Sequence, residues 1–451
     1  MPLTSASPTE CAKSAASAAR RLATSSVDSR DRAIAAIHDA LTAVREQMLE
    51  ANERDLDEAS EAARSGELSQ SLLKRLDLGR AGKYDDMLQG ILDVKQLQDP
   101  IGRITLRTLL DDGLELQRVT VPIGTLLIIF EARPEVIANI SALAIKSGNA
   151  ALLKGGKESS HTFKAISDCI SAALVTTDIP EAAIQLIARS SVPELLSLDQ
   201  YIDLVIPRGS NELVRYVKSN TKIPVMGHAD GLCSIYIHPD ADPSIAERVL
   251  LDSKTGYTAA CNAVETVLIH QDLGQEQLRS MFMPLIAARV SFRCDSSSFE
   301  ALESAPGIII QHAEPEDYDT EFLEMTVAVK SVHDAEAAIA HINEHSSHHT
   351  DVILTEDAQV AEHFMDAVDS AGVYWNASSR FADGHRYGFG TEVGISTNKI
   401  HARGPVGLEG LTTYKYKIRG RGQVPVDYGP GLKQYKHLAL PIGISTRSDN
   451  D

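Results

Sequence analysis

Hydrophobic residues recur at helical spacing through the first 100 residues of the chain, and charged residues fill most of the positions between them. Residues 12–22 and 33–44 carry the three- and four-residue spacing of amphipathic helices, as do the four leucines Leu68, Leu72, Leu73 and Leu76. The first 27 residues are also rich in Ala, Ser and Arg with Glu10 as their one acidic residue, as in a transit peptide. The periodic spacing favours a native amphipathic helix over that alternative.

The pattern then changes from helical to strand-like. Residues 104–110 and 114–121 are rich in Leu and Val and flank the turn signal Asp111-Asp112-Gly113, which predicts a β-hairpin. Residues 411–418 form another strand pattern near the C-terminus. We expect this run to pair with the hairpin, from the same chain or from a neighbouring subunit, because a long apolar hairpin needs its edge covered.

Two stretches of the chain alternate short apolar runs with helical segments. In the first, the predicted strands are 124–130, 150–154, 184–187 and 202–206, with helices from Ile137, His161 and Asn211. In the second, the predicted strands are 265–269, 326–332 and 352–355, with helices over 335–345 and from Ala358. Alternation of this kind indicates parallel sheets with crossover helices, so we predict two α/β domains with a cleft between them.

Composition excludes several classes of protein. The 451 residues are 43% hydrophobic and 5% aromatic, which is ordinary for a globular chain and rules out disordered and fibrous classes. Acidic side chains number 62 against 43 basic ones, a net charge of −19, so we expect no nucleic-acid or membrane partner. No apolar run approaches the ~20 residues of a membrane-spanning helix. Five widely spaced cysteines without a CxxC pair indicate reduced thiols, and we expect a cytoplasmic protein.

Three segments carry candidate chemistry. Cys261 lies among small residues that would expose its thiol, although most cysteines are inert core residues. Gly209 and Ser210 lie between an apolar strand and a helix, where backbone N–H groups can hold a phosphate or simply form a turn. The pairs Lys154-Gly155 and Gly156-Lys157 follow another strand, where open α/β sheets bind ligands, although a solvated strand end has the same composition.

Two further segments are polar clusters. His341, His345, His348 and His349 resemble a metal site, but no carboxylate spacing or HExxH pattern accompanies them, so we predict a polar loop and no bound metal. Residues 375–405 combine the single Trp with many glycines and polar groups, a composition typical of a ligand-lining loop or of a solvated surface loop.

Taken together and in this order, these segments resemble the gamma-glutamyl phosphate reductase family, a branch of the aldehyde dehydrogenase superfamily, over nearly the whole chain. The segments that carry the resemblance are FEARPEV at 130–136, KSGNA at 146–150, PRGSN at 207–211, MGHADG at 226–231, the Cys261 loop, HINEHSSHHTD at 341–351 and residues 375–405. The resemblance implies an α/β fold with a Rossmann-type cofactor domain, an α/β catalytic domain and a β-hairpin oligomerisation arm.

The resemblance also implies a reaction. Members of this family reduce L-glutamyl 5-phosphate with NADPH to glutamate 5-semialdehyde and phosphate, the second step of proline synthesis from glutamate. By family position Cys261 is the nucleophile that forms a thioester, Lys154 contacts the adenosine ribose, and Gly209 and Ser210 face the pyrophosphate. We expect Gly155, Gly156 and Lys157 beside them to complete the NADP(H) site. The positive charge of Lys157 would attract the 2′-phosphate of this cofactor.

Two departures from hydrolytic aldehyde dehydrogenases are informative. The position of the glutamate that activates water in those enzymes holds Gly227, which disfavours cleavage of the thioester by water. The position of their oxyanion-binding Asn holds Ala132, so the second oxyanion donor is open among Asn262, Asn376 and Arg133. We group Asn262 with Cys261 as catalytic.

Glutamyl phosphate also carries an α-carboxylate and an ammonium group. Arg380 and Arg403 are candidates to bind the carboxylate, and Asp383 or Glu392 to bind the ammonium. Glutamate 5-kinase is the expected partner, because the acyl phosphate must come from a separate protein. The hairpin and the C-terminal strand suggest a homo-oligomer.

The expected division is a cofactor domain over 1–103 and 122–240 with part of 400–410, a catalytic domain over 241–399, and an arm over 104–121 and 411–451. Two other functions stay open. One is a hydrolytic NAD-dependent semialdehyde dehydrogenase, against which Gly227 argues. The other is a non-catalytic partner of glutamate 5-kinase, against which the Cys261 loop and Lys154 argue.

Overall fold

The computed structural model describes residues 6–65, 70–131, 133–187 and 191–442, without the side chains of residues 70–72. The α-helices of this part of the chain are α1 (Pro8–Leu22), α2 (Val27–Ala43), α3 (Arg45–Arg64), α4 (Gln70–Leu76), α5 (Lys83–Gln96), α6 (Val136–Lys146), α7 (Ser160–Val175), α8 (Val192–Leu195), α9 (Asn211–Ser219), α10 (Pro243–Thr255), α11 (Gln275–Ala287), α12 (Ser296–Leu302), α13 (Ala335–His345) and α14 (Ala358–Ala367).

The strands are β1 (Ile104–Asp111), β2 (Leu114–Pro122), β3 (Thr125–Phe130), β4 (Ala150–Lys154), β5 (Ile184–Leu186), β6 (Leu204–Arg208), β7 (Cys233–Ile237), β8 (Val264–His270), β9 (Ser291–Cys294), β10 (Ile309–His312), β11 (Thr326–Val332), β12 (Thr350–Leu354), β13 (Gly372–Trp375), β14 (Gly394–Ser396), β15 (Gly404–Val406), β16 (Thr412–Arg419) and β17 (Leu438–Ala439).

The first parallel sheet has the strand order β5-β4-β3-β6. Every residue of β3 is buried, as expected of a strand covered by helices on both faces. The chain runs from β3 to β4 on one side and returns as β6 on the other side of β3, so the strand order reverses between β3 and β6. In open α/β sheets, ligands bind outside the carboxyl ends of the strands at such a point.

The N-terminal helices belong to the core of this sheet. Ser26 caps α2 by accepting a hydrogen bond from Ser29, so α1 and α2 are separate helices, and the predicted helical spacing is confirmed. Arg30 is fully buried and forms a 2.7 Å ion pair with Asp99, and Lys146 forms one of 2.6 Å with Asp31. These buried pairs fix α2 against the chain beyond α5 and against α6.

The predicted leucine face falls partly within the described residues. Leu76 is buried in α4 and packs with Leu73 and Ala59, which confirms the helix there. Leu68 lies outside the described residues, as does the side chain of Leu72.

The second sheet is seven-stranded and parallel, in the order β10-β9-β11-β8-β7-β12-β13. Strand β7 falls inside the range 122–240 that the sequence assigned to the cofactor domain, yet it pairs with β8 and β12 of this sheet. We therefore propose that the boundary between the cofactor and catalytic domains lies before β7 and not at residue 240. Strands that pair in one sheet belong to one structural unit.

The third sheet is the predicted arm, in the antiparallel order β16-β2-β1-β17. The C-terminal strand pairs with β2 of the same chain, from Thr412 opposite Pro122 to Arg419 opposite Glu115. The sequence left the origin of this strand open, and the structure assigns it to the same chain.

Within the described residues, every helix is too short or too polar to cross a bilayer.

Candidate active site

Cys261 lies in the loop that joins α10 to β8, and its backbone packs directly against Gly231. A Cβ atom at Gly231 would lie 2.2 Å from the carbonyl oxygen of Cys261 and 2.5 Å from its Cα, so only glycine allows this approach. The thiol of Cys233 donates a 3.3 Å hydrogen bond to the same carbonyl oxygen. The backbone of Cys261 is therefore held from two sides, while its side chain is only partly buried.

Two histidines face the thiol of Cys261. The Cys261 sulfur and one ring nitrogen each from His228 and His349 all lie within 4.8 Å of one another. The two rings meet edge to face with their centroids 5.0 Å apart. His228 Nδ1 donates to the carbonyl oxygen of Ile395 at 2.9 Å, so the lone pair of its neutral ring is on Nε2. Burial lowers the pKa of His228, and the neutral ring is its form at pH 7.

His349 is almost fully buried, with 1% of its surface exposed. Its Nδ1 lies 2.9 Å from the hydroxyl oxygen of Thr350, and its Nε2 is buried without a hydrogen-bond partner among the described residues. A buried ring nitrogen without a partner is uncommon in folded proteins and often marks a functional group. The structure thus places a ring nitrogen of each histidine within 4.8 Å of the Cys261 sulfur.

These three residues meet because of the strand order. Cys261 precedes β8, His228 lies in the segment before β7, and His349 immediately precedes β12. Since β8, β7 and β12 are adjacent and parallel, the three segments that enter them lie at the same edge of the sheet.

Asn262 connects the Cys261 loop to residues 378–382. The side-chain Nδ2 of Asn262 donates to the carbonyl oxygen of Ala382 at 2.9 Å. The backbone carbonyl oxygen of Asn262 accepts a 2.6 Å hydrogen bond from the Ser379 hydroxyl. Its Oδ1 is buried without a partner among the described residues. The amide donor of Asn262 is therefore engaged with the neighbouring loop, which gives the side chain a positioning role.

Two guanidinium groups interact electrostatically with Cys261, those of Arg208 and Arg380. Burial lowers the pKa of each, the direction expected of a cation withdrawn from water. The Nη1 atom of Arg380 is buried without a partner among the described residues. Arg133 is exposed and adds a third positive charge beside Arg208. This group of arginines is suited to an anionic substrate.

The switch point of the first sheet, where the strand order reverses between β3 and β6, lies next to Arg208, the last residue of β6. Ser210 caps α9 by accepting a hydrogen bond from Leu213, and its N–H donates to the Glu131 carboxylate at 3.0 Å. A Cβ atom at Gly209 would lie 2.4 Å from the same carboxylate oxygen. The start of α9 therefore already holds one anionic group of the protein itself.

The second predicted cofactor segment follows β4 in the same sheet. Lys154 ends β4, and a Cβ atom at Gly155 would lie 2.1 Å from the ring of Phe163. Gly156 precedes a short 3₁₀ turn that begins at Lys157, whose side chain is exposed. Lys154 and Lys157 thus lie at the edge of the sheet formed by the carboxyl ends of its strands. The start of α9 lies at the same edge, after β6, with β3 between β4 and β6.

Comparison with known proteins places the chain in a family. The family model described as "Aldehyde dehydrogenase family" matches residues 3–292. The probable gamma-glutamyl phosphate reductase of Schizosaccharomyces pombe is 52% identical over 438 residues, which cover 96% of this chain and 97% of that protein. The gamma-glutamyl phosphate reductase of Saccharomyces cerevisiae is 51% identical and is covered to 98%. The chain belongs to the gamma-glutamyl phosphate reductases of the aldehyde dehydrogenase family.

Solved structures agree with this assignment. The gamma-glutamyl phosphate reductase of Thermotoga maritima superposes with a TM-score of 0.87 at 37% identity, over 93% of this chain and all of that one. An acetylating aldehyde dehydrogenase of Geobacillus thermoglucosidasius superposes with a TM-score of 0.65 at 16% identity, over 93% of this chain and 97% of that one, a likeness of fold alone. The predicted aldehyde dehydrogenase-like α/β fold is confirmed, and a member of this family is an oxidoreductase.

Four residues predicted to bind substrate are engaged in other contacts in this reductase. Asn376 donates to the carbonyl oxygen of Thr355 at 2.9 Å and accepts from its N–H at 3.1 Å. Arg403 pairs with Asp369 at 3.0 Å, and Asp383 accepts from the backbone N–H groups of the two residues at 385 and 386. Glu392 accepts from Gly384 at 2.8 Å and lies 3.5 Å from Arg208.

All four residues stay proposals as substrate ligands, and each has a partner within the protein. The Nδ2 atom of Asn376 donates to the Thr355 carbonyl oxygen. Arg403 pairs with Asp369 in the segment before β13, while its Nε is buried without a hydrogen-bond partner among the described residues. Asp383 stabilises a turn. Glu392 is partly buried, its withdrawal from solvent raises its pKa, and it faces Arg208. Arg380 and Arg133 likewise remain proposed substrate ligands, and Ala132 lies outside the described residues.

Sequence reasoning missed three residues of this aldehyde dehydrogenase site. His228 was given no role, and His349 was considered only with its neighbouring histidines and assigned to a polar loop. Their separation of about 120 residues hides their contact with each other and with Cys261. Arg208 precedes the predicted Gly209-Ser210 pair and was passed over for the same reason. The signal that could have found the histidines is the prediction of adjacent parallel strands after each of them and after Cys261.

Proposed function

We propose that this chain reduces L-glutamyl 5-phosphate with NADPH to L-glutamate 5-semialdehyde and phosphate, through a thioester on Cys261. The observation that carries the proposal is the convergence of the Cys261 thiol with His228 and His349, within 4.8 Å of one another. The guanidinium groups of Arg208 and Arg380 lie near the same residue. Family membership supports the substrate, because the similar proteins of both yeasts are named gamma-glutamyl phosphate reductases.

In the first step, Nε2 of His228 accepts the proton of the Cys261 thiol, and the thiolate attacks the acyl carbon. The Ile395 carbonyl keeps the proton of the neutral ring on Nδ1, which leaves Nε2 ready to accept. The carbon–oxygen bond to phosphate breaks as the carbon–sulfur bond forms, and phosphate leaves with its electron pair. Arg208 and Arg380 are the cations that stabilise this departing charge.

The thioester is then reduced and released. A nicotinamide cofactor held at the end of β4 and the start of α9 would supply the hydride for this reduction. The backbone N–H of Cys261 is the first donor to the resulting oxyanion, and Arg133 stays the proposed second donor, since the amides of Asn262 and Asn376 are engaged. When the carbon–sulfur bond breaks, the aldehyde leaves and His228 returns its proton to the sulfur.

The residues at the switch point fit a dinucleotide. The N–H of Ser210 is already bonded to an anionic oxygen, and Gly209 lacks the side chain that would block that approach. Lys154, Gly155 and Gly156 lie at the carboxyl end of β4, where we place the adenosine ribose. An engineered glycolyl-CoA reductase that shares the fold, with a TM-score of 0.63 at 13% identity, is described with bound NADP⁺.

The choice of NADPH over NADH rests on Lys157. Its exposed ammonium group follows the Gly155-Gly156 pair and can approach a 2′-phosphate, which only NADPH carries. We also propose that the arm mediates homo-oligomer assembly and that glutamate 5-kinase delivers the labile acyl phosphate.

The reverse reaction tests the proposal, because glutamyl phosphate is too labile to supply. Purified protein with glutamate 5-semialdehyde should reduce NADP⁺ only when phosphate is present, better than it reduces NAD⁺, and not at all as Cys261→Ala. Cys169→Ala is the matched control, because that thiol lies on a helix away from the loop. Equal activity without phosphate would instead support the hydrolytic alternative, with water activated by His228 although Gly227 offers no carboxylate.

A further inference from the structure

Cys261, His228 and His349 together have the donor set of a zinc site. One thiol and two imidazoles are the ligands that Zn²⁺ prefers, whereas Mg²⁺ and Ca²⁺ prefer oxygen ligands. Their three candidate atoms already lie within 4.8 Å of one another. In tetrahedral coordination with bonds of ~2.0–2.3 Å, ligand atoms lie about 3.3–3.6 Å apart. Closure of the site therefore requires each pair of ligand atoms to approach by at most about 1.5 Å.

The hydrogen bonds of both histidines match those of metal-binding histidines. Histidines that bind metals usually donate their other ring nitrogen to a carbonyl or carboxylate, which fixes the ring and its tautomer. His228 has this arrangement, since its Nδ1 donates to the Ile395 carbonyl oxygen. His349 has its Nδ1 beside the Thr350 hydroxyl and leaves a buried Nε2 without a partner among the described residues.

We propose that Cys261, His228 and His349 bind one Zn²⁺ ion, or a similar thiophilic divalent cation, as a reversible inhibitory site. Binding releases the thiol proton to solvent, forms one metal–sulfur and two metal–nitrogen bonds, and changes no oxidation state. A water molecule completes the tetrahedron. The inhibition rests on the proposed function, because the metal would engage the nucleophile and its proton acceptor together; the binding itself does not.

Metal binding is measured on the full chain without substrate or cofactor. Equilibrium dialysis against ZnCl₂ in the presence of a competing chelator gives the stoichiometry and the dissociation constant. We expect one tight site per chain. Cys261→Ala, His228→Asn and His349→Asn should each weaken it at least about tenfold, the lower end of the range seen when even outer partners of a metal site are removed.

The Asn variants are chosen to keep the fold. The amide nitrogen of Asn overlaps the position of Nδ1, so the contacts with Ile395 and Thr350 can be retained while Nε2 is removed. His345→Asn is the matched control, because His345 lies on α13 and pairs with Asp319. If an Asn variant does not fold, Co²⁺ bound to the unaltered chain should still show the strong visible absorption of a tetrahedral site with a thiolate charge-transfer band.

Three results would overturn the inference. Loss of binding in Cys261→Ala with unchanged binding in both His variants would mean that zinc binds a single exposed thiol. Unchanged binding in all three variants would place the metal elsewhere. Absence of a tight site would mean that the three side chains cannot close around a cation.

The metal site and the proposed reaction can fail separately. A chain that binds zinc as expected but shows no phosphate-dependent reaction would refute the proposed function and retain the site. A chain that catalyses the reaction without binding zinc would refute only the site.

Discussion

Lys254 donates a 2.6 Å hydrogen bond to Glu265 across the base of the loop that carries Cys261. Lys254 is in the last turn of α10 and Glu265 is the second residue of β8, so the pair joins the two ends of that loop. Lys254 also donates to the carbonyl oxygen of Val264 at 2.9 Å. The side chains are 0% and 1% exposed, and burial lowers the pKa of Lys254 and raises that of Glu265.

Removing one member of this pair should destabilise the protein strongly. Lys254→Met leaves the Glu265 carboxylate buried without its cation, which typically costs about 3–5 kcal/mol. Urea unfolding of the variant measures the loss. The double variant Lys254→Met/Glu265→Leu should recover most of it, because an apolar pair leaves no buried charge. A loss below about 1 kcal/mol in the single variant would show that the ion pair does not hold the loop.

The same pair predicts how stability depends on pH. Burial raises the pKa of Glu265 from its ordinary 4.5 to about 7, so between these values the folded chain binds more protons than the unfolded chain. The unfolding free energy of the native protein should therefore fall, relative to that of the double variant, as the pH rises through this window. Urea unfolding of both proteins below pH 4.5 and above pH 7 measures this change. A difference in unfolding free energy that is the same at both pH values would contradict the prediction.

Gly231→Ala should inactivate the enzyme while leaving most of the fold intact. The added Cβ atom would overlap the backbone of Cys261 and displace the proposed nucleophile, and a displacement of about 1 Å can cost on the order of 100-fold in rate. Steady-state assay of the phosphate-dependent reaction measures the effect. Gly274→Ala is the control, since a Cβ atom there meets nothing within 4 Å and should leave the rate unchanged. Full activity in Gly231→Ala would show that the loop adapts.

Glu131→Gln should tighten cofactor binding. The Glu131 carboxylate occupies the N–H of Ser210, where the proposed pyrophosphate would bind, so the two negative charges compete for one donor. Removing the charge should lower the dissociation constant for NADPH by about tenfold, equivalent to ~1.4 kcal/mol. Titration of cofactor fluorescence measures it, with the exposed Glu300→Gln as control. Weaker binding in Glu131→Gln would show that this carboxylate contacts the cofactor instead.

Much of the fold followed from residue patterns because the elements are locally determined. The 3.6-residue period and flanking polar residues predict a helix over 335–345, and α13 has those bounds. Asp111-Asp112-Gly113 likewise marks the turn between β1 and β2. Strands β9 and β10 were not predicted. Each has only four residues, which is short for a periodic signal, and β10 is also mostly exposed.

The site was only partly predictable, for a different reason. Cys261 stands out through its small neighbours, which are adjacent in sequence. His228 and His349 become neighbours of Cys261 only because β7 lies between β8 and β12, and strand order depends on tertiary packing. The engagement of Asn262, Asn376 and Arg403 likewise depends on loops that come together from distant parts of the chain.

The pairing of β2 with β16 has a consequence for synthesis of the chain. About 300 residues separate the two strands, so at ~5–20 residues per second β2 waits about 15–60 s on the ribosome for its partner. During that time the hairpin of β1 and β2 presents an unpaired edge to other nascent chains. Within the described residues, β16 and β17 are the last strands to be translated, and they pair with the two outer edges of the β1–β2 hairpin. A chain that stops before β16 would leave both edges of the hairpin permanently exposed.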